Sequence, residues 1–261
     1  QLFQYAALKS LSLAKGYEIR IPNPETRSWD GQTCLLNNFS ISSKFLTNED
    51  IPKITCTYRE PSPMHFDAAF FSIPDGTNLH GYFQFTQYFM DNEEAVKKEL
   101  TPKTIFLEQA KEFLSKYDKP VVSVHVRKGD NDNGNSIDMF QQDGYFLGYL
   151  KEAIRKFPGC EFLVFSGGAK GPNENEEDIR WCRDNLGITA SYSEQASVMD
   201  DFSRIMLCDH NILSQSSSFG WWAAYQNPSK DKVVIAPNKY HHDTPDYTHR
   251  LGFYPESFTI L

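Results

Sequence analysis

Residues 121–130 have the residue types and spacing of a ligand-binding strand end. His125 and Arg127 follow an apolar run and, being two positions apart, lie on the same face of a β-strand. Gly129 ends the run and Asp130 follows it. Arginine carries a planar guanidinium that suits phosphate, and open α/β sheets bind ligands at the carboxyl ends of their strands. The segment therefore predicts an anion site, and an edge strand with solvated polar residues explains it equally well.

A second candidate anion site lies in residues 210–222, where an apolar stretch leads into three consecutive serines and then a helical pattern. Serine hydroxyls and the free backbone N–H groups at a helix start bind anions, and the helix dipole favours negative charge there. The candidate residues are Ser216, Ser217, Ser218 and Phe219. A plain N-cap, with one serine capping and two solvated, is the alternative interpretation.

A third candidate site follows the apolar run of residues 162–166. Ser166 ends that run, and an acidic, glycine-containing loop leads to Asp178, with Glu177 beside it. An acid placed after such a strand can hydrogen-bond a base or a ribose. A solvated acidic loop is the simpler interpretation.

The elements that position these residues alternate between strand and helix in the second half of the chain. We predict strands at 121–127, 161–165, 210–214 and 232–236, and helices at about 145–157, 175–186, 199–207 and 219–226. This order predicts a parallel sheet covered on both faces. In the first half, apolar residues at helical spacing predict a helix that stops at Gly16. Residues 118–120 separate the halves, so we predict domains at 1–118 and 119–261.

Composition narrows the classes of protein. The 261 residues suffice for a sizeable core, and a net charge of −8 argues against a nucleic-acid binder. Five widely spaced cysteines without a Cys-x-x-Cys pair favour a reducing compartment. No apolar run approaches the roughly 18 residues that span a bilayer. We therefore expect a cytoplasmic protein, in peripheral contact with a membrane or not, with a Golgi catalytic domain cut from its anchor as the alternative. We also expect further residues upstream of Gln1.

Five short motifs, in order along the chain, resemble those of the α-1,2-fucosyltransferases of glycosyltransferase family 11 in their bacterial-type form. They lie at residues 1–6, 81–84, 125–130, 165–166 with 178–182, and 216–224. One such motif arises easily by chance, whereas five in the same order do not. The chain departs from the pattern at Ser216, where asparagine is usual, and in the insertion that follows Ser166.

The resemblance implies an α/β protein with a GT-B-like fold: two Rossmann-like halves, with the donor site on the C-terminal half and the acceptor in the cleft. It implies an inverting glycosyltransferase that moves L-fucose from GDP-β-L-fucose to the 2-hydroxyl of a terminal galactose, that is, a galactoside 2-α-L-fucosyltransferase. Fucose transfer with another linkage (α-1,6 or O-fucosyl) and a catalytically inactive glycan-binding or nucleotide-binding homologue are the alternatives.

Within that chemistry, Arg127 is expected to hold the pyrophosphate and to neutralise the charge that develops on the leaving GDP. The serine loop, residues 216–219, is expected to bind the same diphosphate. Ser166 and Asp178 are further donor-site candidates. His125 is expected to orient the nucleotide or the acceptor. Asp130 is the candidate catalytic base, and a structural role at the neighbouring glycine turn is equally consistent with its position.

On the acceptor side the candidates are Tyr82 and Gln84. The aromatic residues of this region, Tyr82, Phe83, Tyr88 and Phe89, can stack on sugars, although most such side chains belong to a core.

No metal cofactor is expected. Asp130 and Asp132 have the Asp-x-Asp spacing that holds a divalent cation in another class of glycosyltransferase, but Asp130 belongs to the longer motif. His241, His242, Asp243 and His249 could be read as zinc ligands, and a solvated C-terminal loop is the simpler interpretation. The expected partners are therefore GDP-fucose, as donor substrate, and a galactose-terminated oligosaccharide, with no nucleic acid.

Overall fold

The computed structural model describes residues 1–23, 34–127, 144–166, 175–215, 217–239 and 252–261. The chain divides into two compact units, Gln1–Lys103 with Arg250–Pro255 and Thr104–His249 with Glu256–Leu261. No helix within the described ranges is long and apolar enough to cross a membrane.

The N-terminal unit contains two helices, α1 (Leu2–Lys15) and α2 (Glu93–Glu99), and two small parallel sheets among its described residues. One sheet pairs β1 (Arg20–Ile21) with β2 (Lys44–Phe45), and the other pairs β3 (Cys56–Arg59) with β4 (Thr77–His80). Short 3₁₀ turns lie at Leu36–Asn38, Ile51–Lys53, Ala68–Ser72, Thr86–Tyr88 and Met90–Asn92. Helix α1 ends at Gly16, whose φ of 74° is left-handed, as the predicted glycine stop requires.

Glu99, at the end of α2, ties the first helix of this unit to its second. Its carboxylate accepts a hydrogen bond from Tyr5 and lies 2.6 Å from Lys9 Nζ, both on α1. It also accepts from the Ser42 hydroxyl at 2.6 Å. One partly buried acid with several donors therefore holds three segments of the chain together.

The C-terminal unit continues with α3 (Thr104–Leu114), β5 (Val121–Val126), α4 (Tyr145–Arg155), β6 (Glu161–Ser166), α5 (Glu176–Asn185) and β7 (Ser191–Tyr192). It ends with α6 (Val198–Leu207), β8 (His210–Ile212), α7 (Ser218–Tyr225), β9 (Val234–Ala236) and β10 (Thr259–Ile260). The sheet has the order β10-β9-β8-β5-β6-β7, and every strand pair in it is parallel. This confirms the predicted α/β class and the Rossmann-like C-terminal half.

The strand order reproduces the doubly wound pattern of dinucleotide-binding folds. Counted from β5, the strands lie in the order 3-2-1-4-5-6. All six residues of β5 are buried, as expected of the central strand of a parallel sheet covered by helices. The two strands that carry the first two candidate sites, β5 and β8, are therefore neighbours.

The division between the units falls after Lys103, whereas the sequence places the boundary at residue 118. Helix α3 belongs to the second unit because it packs against α6. The Arg204 guanidinium of α6 lies 3.9 Å from the centroid of the Phe113 ring of α3. Local periodicity shows that α3 is a helix, but only this packing assigns it to a unit.

Candidate active site

The strand order creates a topological switch point between β5 and β8. From β5 the chain continues to β6 on one side, and from β8 it continues to β9 on the other. Loops that diverge in this way leave a crevice at the carboxyl edge of the sheet, where such folds bind ligands. Arg127 leaves β5 at this edge, and residues 213–215 leave β8 there. The two anion-site candidates of the sequence thus meet at one point of the fold.

The Ser214 hydroxyl joins the two strand ends directly. The Arg127 backbone N–H donates to Ser214 Oγ over 2.8 Å, and the Ser214 hydroxyl lies 2.8 Å from Gln215 Oε1, to which it donates. Ser214 and Gln215 are both buried, whereas Arg127 is partly exposed. The backbone of Arg127 is therefore fixed from the neighbouring strand, while the residue as a whole is partly exposed. Sequence reasoning missed Ser214 and Gln215, although two polar residues at the end of an apolar strand were a usable signal.

The start of α7 forms the second half of this edge. Ser217 is the N-cap, and its hydroxyl accepts a hydrogen bond from the Gly220 N–H at 3.5 Å. Ser218 is the first residue of the helix and is exposed. Trp221 and Trp222 are 1% and 0% exposed, so the helix is anchored from below. A fixed helix N-terminus with an exposed serine offers N–H and O–H donors and a positive dipole end to an anion.

His125 is held against the first turn of α7. It is buried, and its ring centroid lies 5.8 Å from that of Phe219. A Cβ atom built on Gly220 would lie 2.5 Å from His125 Nδ1, closer than real contacts allow. Glycine at position 220 is therefore what permits the helix to approach the imidazole. His125 thus packs directly against the first turn of α7.

The third candidate site lies one strand further along the sheet. The Ser166 hydroxyl donates to the Val126 carbonyl over 2.8 Å, so it links β6 to β5. The Ser166 carbonyl accepts from the Asn175 side chain at 3.0 Å, and Asn175 precedes α5. Of the two candidate acids in the first turn of α5, Asp178 is buried and the Glu177 side chain is 83% exposed.

Several candidates of the sequence lie outside the described residues. They are Asp130, Asp132, Ser216, His241, His242, Asp243 and His249. Within the ranges that the structure does describe, no group of three or more histidine, cysteine, aspartate or glutamate side chains is arranged to hold a metal ion. The assignment of Asp130 as a base therefore stays a prediction.

In the N-terminal unit the structure separates the four aromatic residues near the acceptor candidates. Phe83, Tyr88 and Phe89 are fully buried and belong to the core. Tyr82 is 59% exposed, and Gln84 is partly exposed. In the same unit, a pocket of about 730 Å³ is lined in part by Gln1 and Gln4 of the first motif. Tyr82 is thus the one member of the aromatic group that presents its ring to solvent.

The family model of Glycosyl transferase family 11 matches residues 35–250. The chain is 26% identical over 220 residues to an alpha-1,2-colitosyltransferase of Escherichia coli. This match covers 79% of this chain and 69% of the relative. It is 24% identical over 191 residues to a galactoside 2-alpha-L-fucosyltransferase of Caenorhabditis elegans, covering 68% of this chain and 49% of the relative. The chain thus spans about half the length of the nematode protein.

Among solved structures, POFUT1 in complex with GDP superposes with a TM-score of 0.50 at 13% identity, over 89% of this chain and 93% of that chain. The apo form gives the same TM-score at 12% identity, over 89% of this chain and 92% of that chain. At such identities the likeness shows the fold alone, and it confirms the predicted GT-B-like architecture.

Proposed function

Because the chain belongs to glycosyl transferase family 11, a family of fucosyltransferases, we propose that it is a galactoside 2-α-L-fucosyltransferase. It transfers L-fucose from GDP-β-L-fucose to the 2-hydroxyl of a terminal galactose and inverts the anomeric centre. The observation that carries this proposal is the hydrogen bond from the Arg127 backbone to Ser214, because it joins the end of β5 to the end of β8, three residues before the Ser217 cap of α7. A cation beside a helix N-terminus complements a diphosphate, which a sugar-binding module without catalysis would not need.

In the proposed reaction the galactose 2-oxygen attacks the anomeric carbon from the face opposite GDP. The bond between that carbon and the phosphate oxygen breaks, and the electron pair leaves with GDP. Arg127, Ser217, Ser218 and the backbone at Phe219 stabilise the charge that develops on the diphosphate. Because these donors are fixed by the protein, the proposal includes no metal.

The remaining roles follow from position. His125, which packs against the first turn of α7, is assigned to orienting the ligand. Ser166, at the end of β6, and Asp178, in the first turn of α5, are assigned to the nucleoside. Asp130 is the proposed base that takes the proton of the acceptor hydroxyl. Tyr82 and Gln84 are assigned to the acceptor, a galactose-terminated oligosaccharide.

GDP-colitose should be assayed as a second donor, because one relative is an alpha-1,2-colitosyltransferase. Colitose is L-fucose without its 3-hydroxyl, so a single site can be compared with both sugars. Selectivity for fucose requires a group that hydrogen-bonds that hydroxyl, because its loss then leaves a buried partner unsatisfied.

The experiment incubates the protein with GDP-fucose and lactose in EDTA, measures GDP release, and identifies the linkage of the product by NMR. A 2-linked fucosyl product supports the proposal together with its metal-free chemistry. A 6-linked product, or turnover only with GDP-colitose, would contradict the proposed linkage or the proposed donor. GDP binding without any transfer to a panel of galactosides would favour the inactive homologue.

Arg127→Ala tests the diphosphate assignment. Removing charge-assisted hydrogen bonds worth about 1.5–3 kcal/mol lowers the affinity for GDP by about 10- to 100-fold. The matched control is Arg155→Ala, which removes the same charge from an exposed position. Arg155 ends α4, and a crossover helix ends at the amino edge of a parallel sheet, away from the ligand edge. Unchanged GDP binding in Arg127→Ala, measured by calorimetry, would refute the assignment.

A further inference from the structure

The carboxylate of Glu60 lies beneath residues 81–84, here called the 81–84 segment. Glu60 Oε2 accepts hydrogen bonds from the Tyr82 N–H at 2.7 Å and from the Phe83 N–H at 3.1 Å, and Oε1 lies 3.2 Å from the latter nitrogen. Two consecutive backbone N–H groups that point at one acceptor form a concave anion site. In this protein the anion is supplied by the chain itself.

The segment is built around this carboxylate. A Cβ atom on Gly81 would lie 2.5 Å from Glu60 Cβ and 2.8 Å from Glu60 Oε2, so glycine is needed for the approach. The Gln4 side-chain amide of α1 donates to the Gly81 carbonyl over 2.9 Å. The segment is therefore held at its first residue from one side and at its next two residues from the other.

Phe83 shows how strongly the conformation is imposed. Its φ of 52° lies in the left-handed region, which is unusual for an aromatic residue and costs of order 1–3 kcal/mol. The Phe83 ring is fully buried, with its centroid 5.4 Å from those of both Phe70 and Tyr88. Burial of the ring and the bond to Glu60 together offset the strain.

Tyr82 lies between Gly81 and Phe83, both of which are held in place, and nevertheless exposes 59% of its surface. Its backbone is restrained by Glu60, while its ring projects into solvent. An aromatic ring on a restrained backbone offers a flat apolar face at little further cost in conformational entropy. The C–H face of a galactose ring is a ligand of matching shape and polarity.

We propose that Glu60 is a positioning residue that acts through Tyr82, by holding the ring as a stacking platform for the pyranose of the acceptor sugar. Glu60 itself does not touch the sugar, because its carboxylate faces backbone N–H groups. The inference rests on the proposed function in that it takes the bound sugar to be the galactoside acceptor.

The test compares Glu60→Ala and Tyr82→Ala with wild type. Both variants should raise KM for lactose by about 10-fold, the loss expected from about 1.4 kcal/mol of stacking. Both should leave kcat and the affinity for GDP within twofold. The double variant should bind lactose no more weakly than Tyr82→Ala, because the two changes remove one interaction. Glu49→Ala, at an exposed acid of the same unit, is the control and should match wild type.

Two further measurements do not depend on turnover. In Glu60→Ala, hydrogen exchange at the Tyr82 and Phe83 amides should be at least 10-fold faster than in wild type. Lactose added to the wild-type protein should shift the ring resonances of Tyr82, and Tyr82→Trp should retain that binding. If the wild-type protein transfers no fucose, the proposed function fails, while the lactose titration still decides the role of Tyr82.

The outcomes that overturn the inference are specific. Faster exchange in Glu60→Ala with unchanged lactose affinity would show that the segment is not an acceptor platform. If Glu60→Ala lost GDP affinity and thermal stability together with lactose affinity, its role would be purely structural. Glu60→Gln keeps one acceptor oxygen, so it should lie between wild type and alanine, and it serves if the alanine variant does not fold.

Discussion

The contact between Gly220 and His125 gives a prediction in which stability and activity can be worked out separately. Replacing Gly220 by alanine adds one methyl group in the first turn of α7. That carbon would lie 2.5 Å from His125 Nδ1. Because the helix is anchored by two buried tryptophans, the imidazole is the group that has to move, by about 1 Å.

Two effects of opposite sign set the magnitude. Alanine is favoured over glycine in a helix by about 0.5–1 kcal/mol, whereas overpacking a buried site costs about 1–3 kcal/mol. Overpacking wins, so we expect Gly220→Ala to lose up to about 2 kcal/mol in the free energy of unfolding. A shift of about 1 Å in a group that positions substrate lowers the rate by up to about 100-fold. We therefore expect kcat/KM to fall by about 10- to 100-fold.

Gly148→Ala is the matched control. Gly148 lies inside α4, and a Cβ atom there meets nothing within 4 Å. It should gain about 0.5–1 kcal/mol from helix propensity alone and keep full activity. Urea unfolding followed by tryptophan fluorescence measures both variants, and fucose transfer from GDP-fucose to lactose measures their rates.

A double-mutant cycle isolates the contact. In a His125→Ala background the added methyl group meets no imidazole, so Gly220→Ala should become neutral or stabilising. The reasoning is refuted if Gly220→Ala is as stable as Gly148→Ala and retains wild-type kcat/KM. It is also refuted if the cost of Gly220→Ala is the same with and without His125.

Two further predictions concern pH. Burial raises the pKa of Asp201 to about 6, against a hydrogen bond from Ser193 that works in the other direction. The unfolded chain ionises near pH 4, so this group makes wild type lose stability as pH rises from about 4 to about 6. Asp201→Asn should not show this loss of stability between about pH 4 and 6. Parallel curves of Tm against pH for the variant and wild type between pH 4 and 8 would contradict this prediction. Burial opposes ionisation of Glu99, but hydrogen bonds from Lys9, Ser42 and Tyr5 outweigh it and hold the pKa of the carboxyl below its usual range. Glu99→Gln should therefore lower the free energy of unfolding by about 1–3 kcal/mol at pH 7. The difference in Tm between this variant and wild type should shrink below pH 4, where the carboxyl becomes protonated. A difference that stays constant with pH would show that ionisation of Glu99 is not involved.

Sequence by itself determined the class of the fold and the identity of the chemical groups. The valines of β5 predicted a strand, and the alternation of predicted strands with predicted helices in the second half of the chain indicated a parallel sheet covered on both faces. Strand periodicity put His125 and Arg127 on one face, and the serine run before an apolar helix predicted the cap that Ser217 makes. These are local properties, which follow from the chemistry of residues close together in the chain.

Tertiary structure alone decided which of these groups meet. Arg127 and Ser214 are 87 positions apart, and only the strand order that makes β5 and β8 neighbours brings them within hydrogen-bonding distance. A glycine in a sequence does not reveal its partner, so the contact of Gly220 with His125 and that of Gly81 with Glu60 were invisible. Long-range contacts leave no period in the sequence, because their geometry is set by packing of whole elements. For that reason the candidate residues of the site could be named from the sequence, while the residues that position them could not.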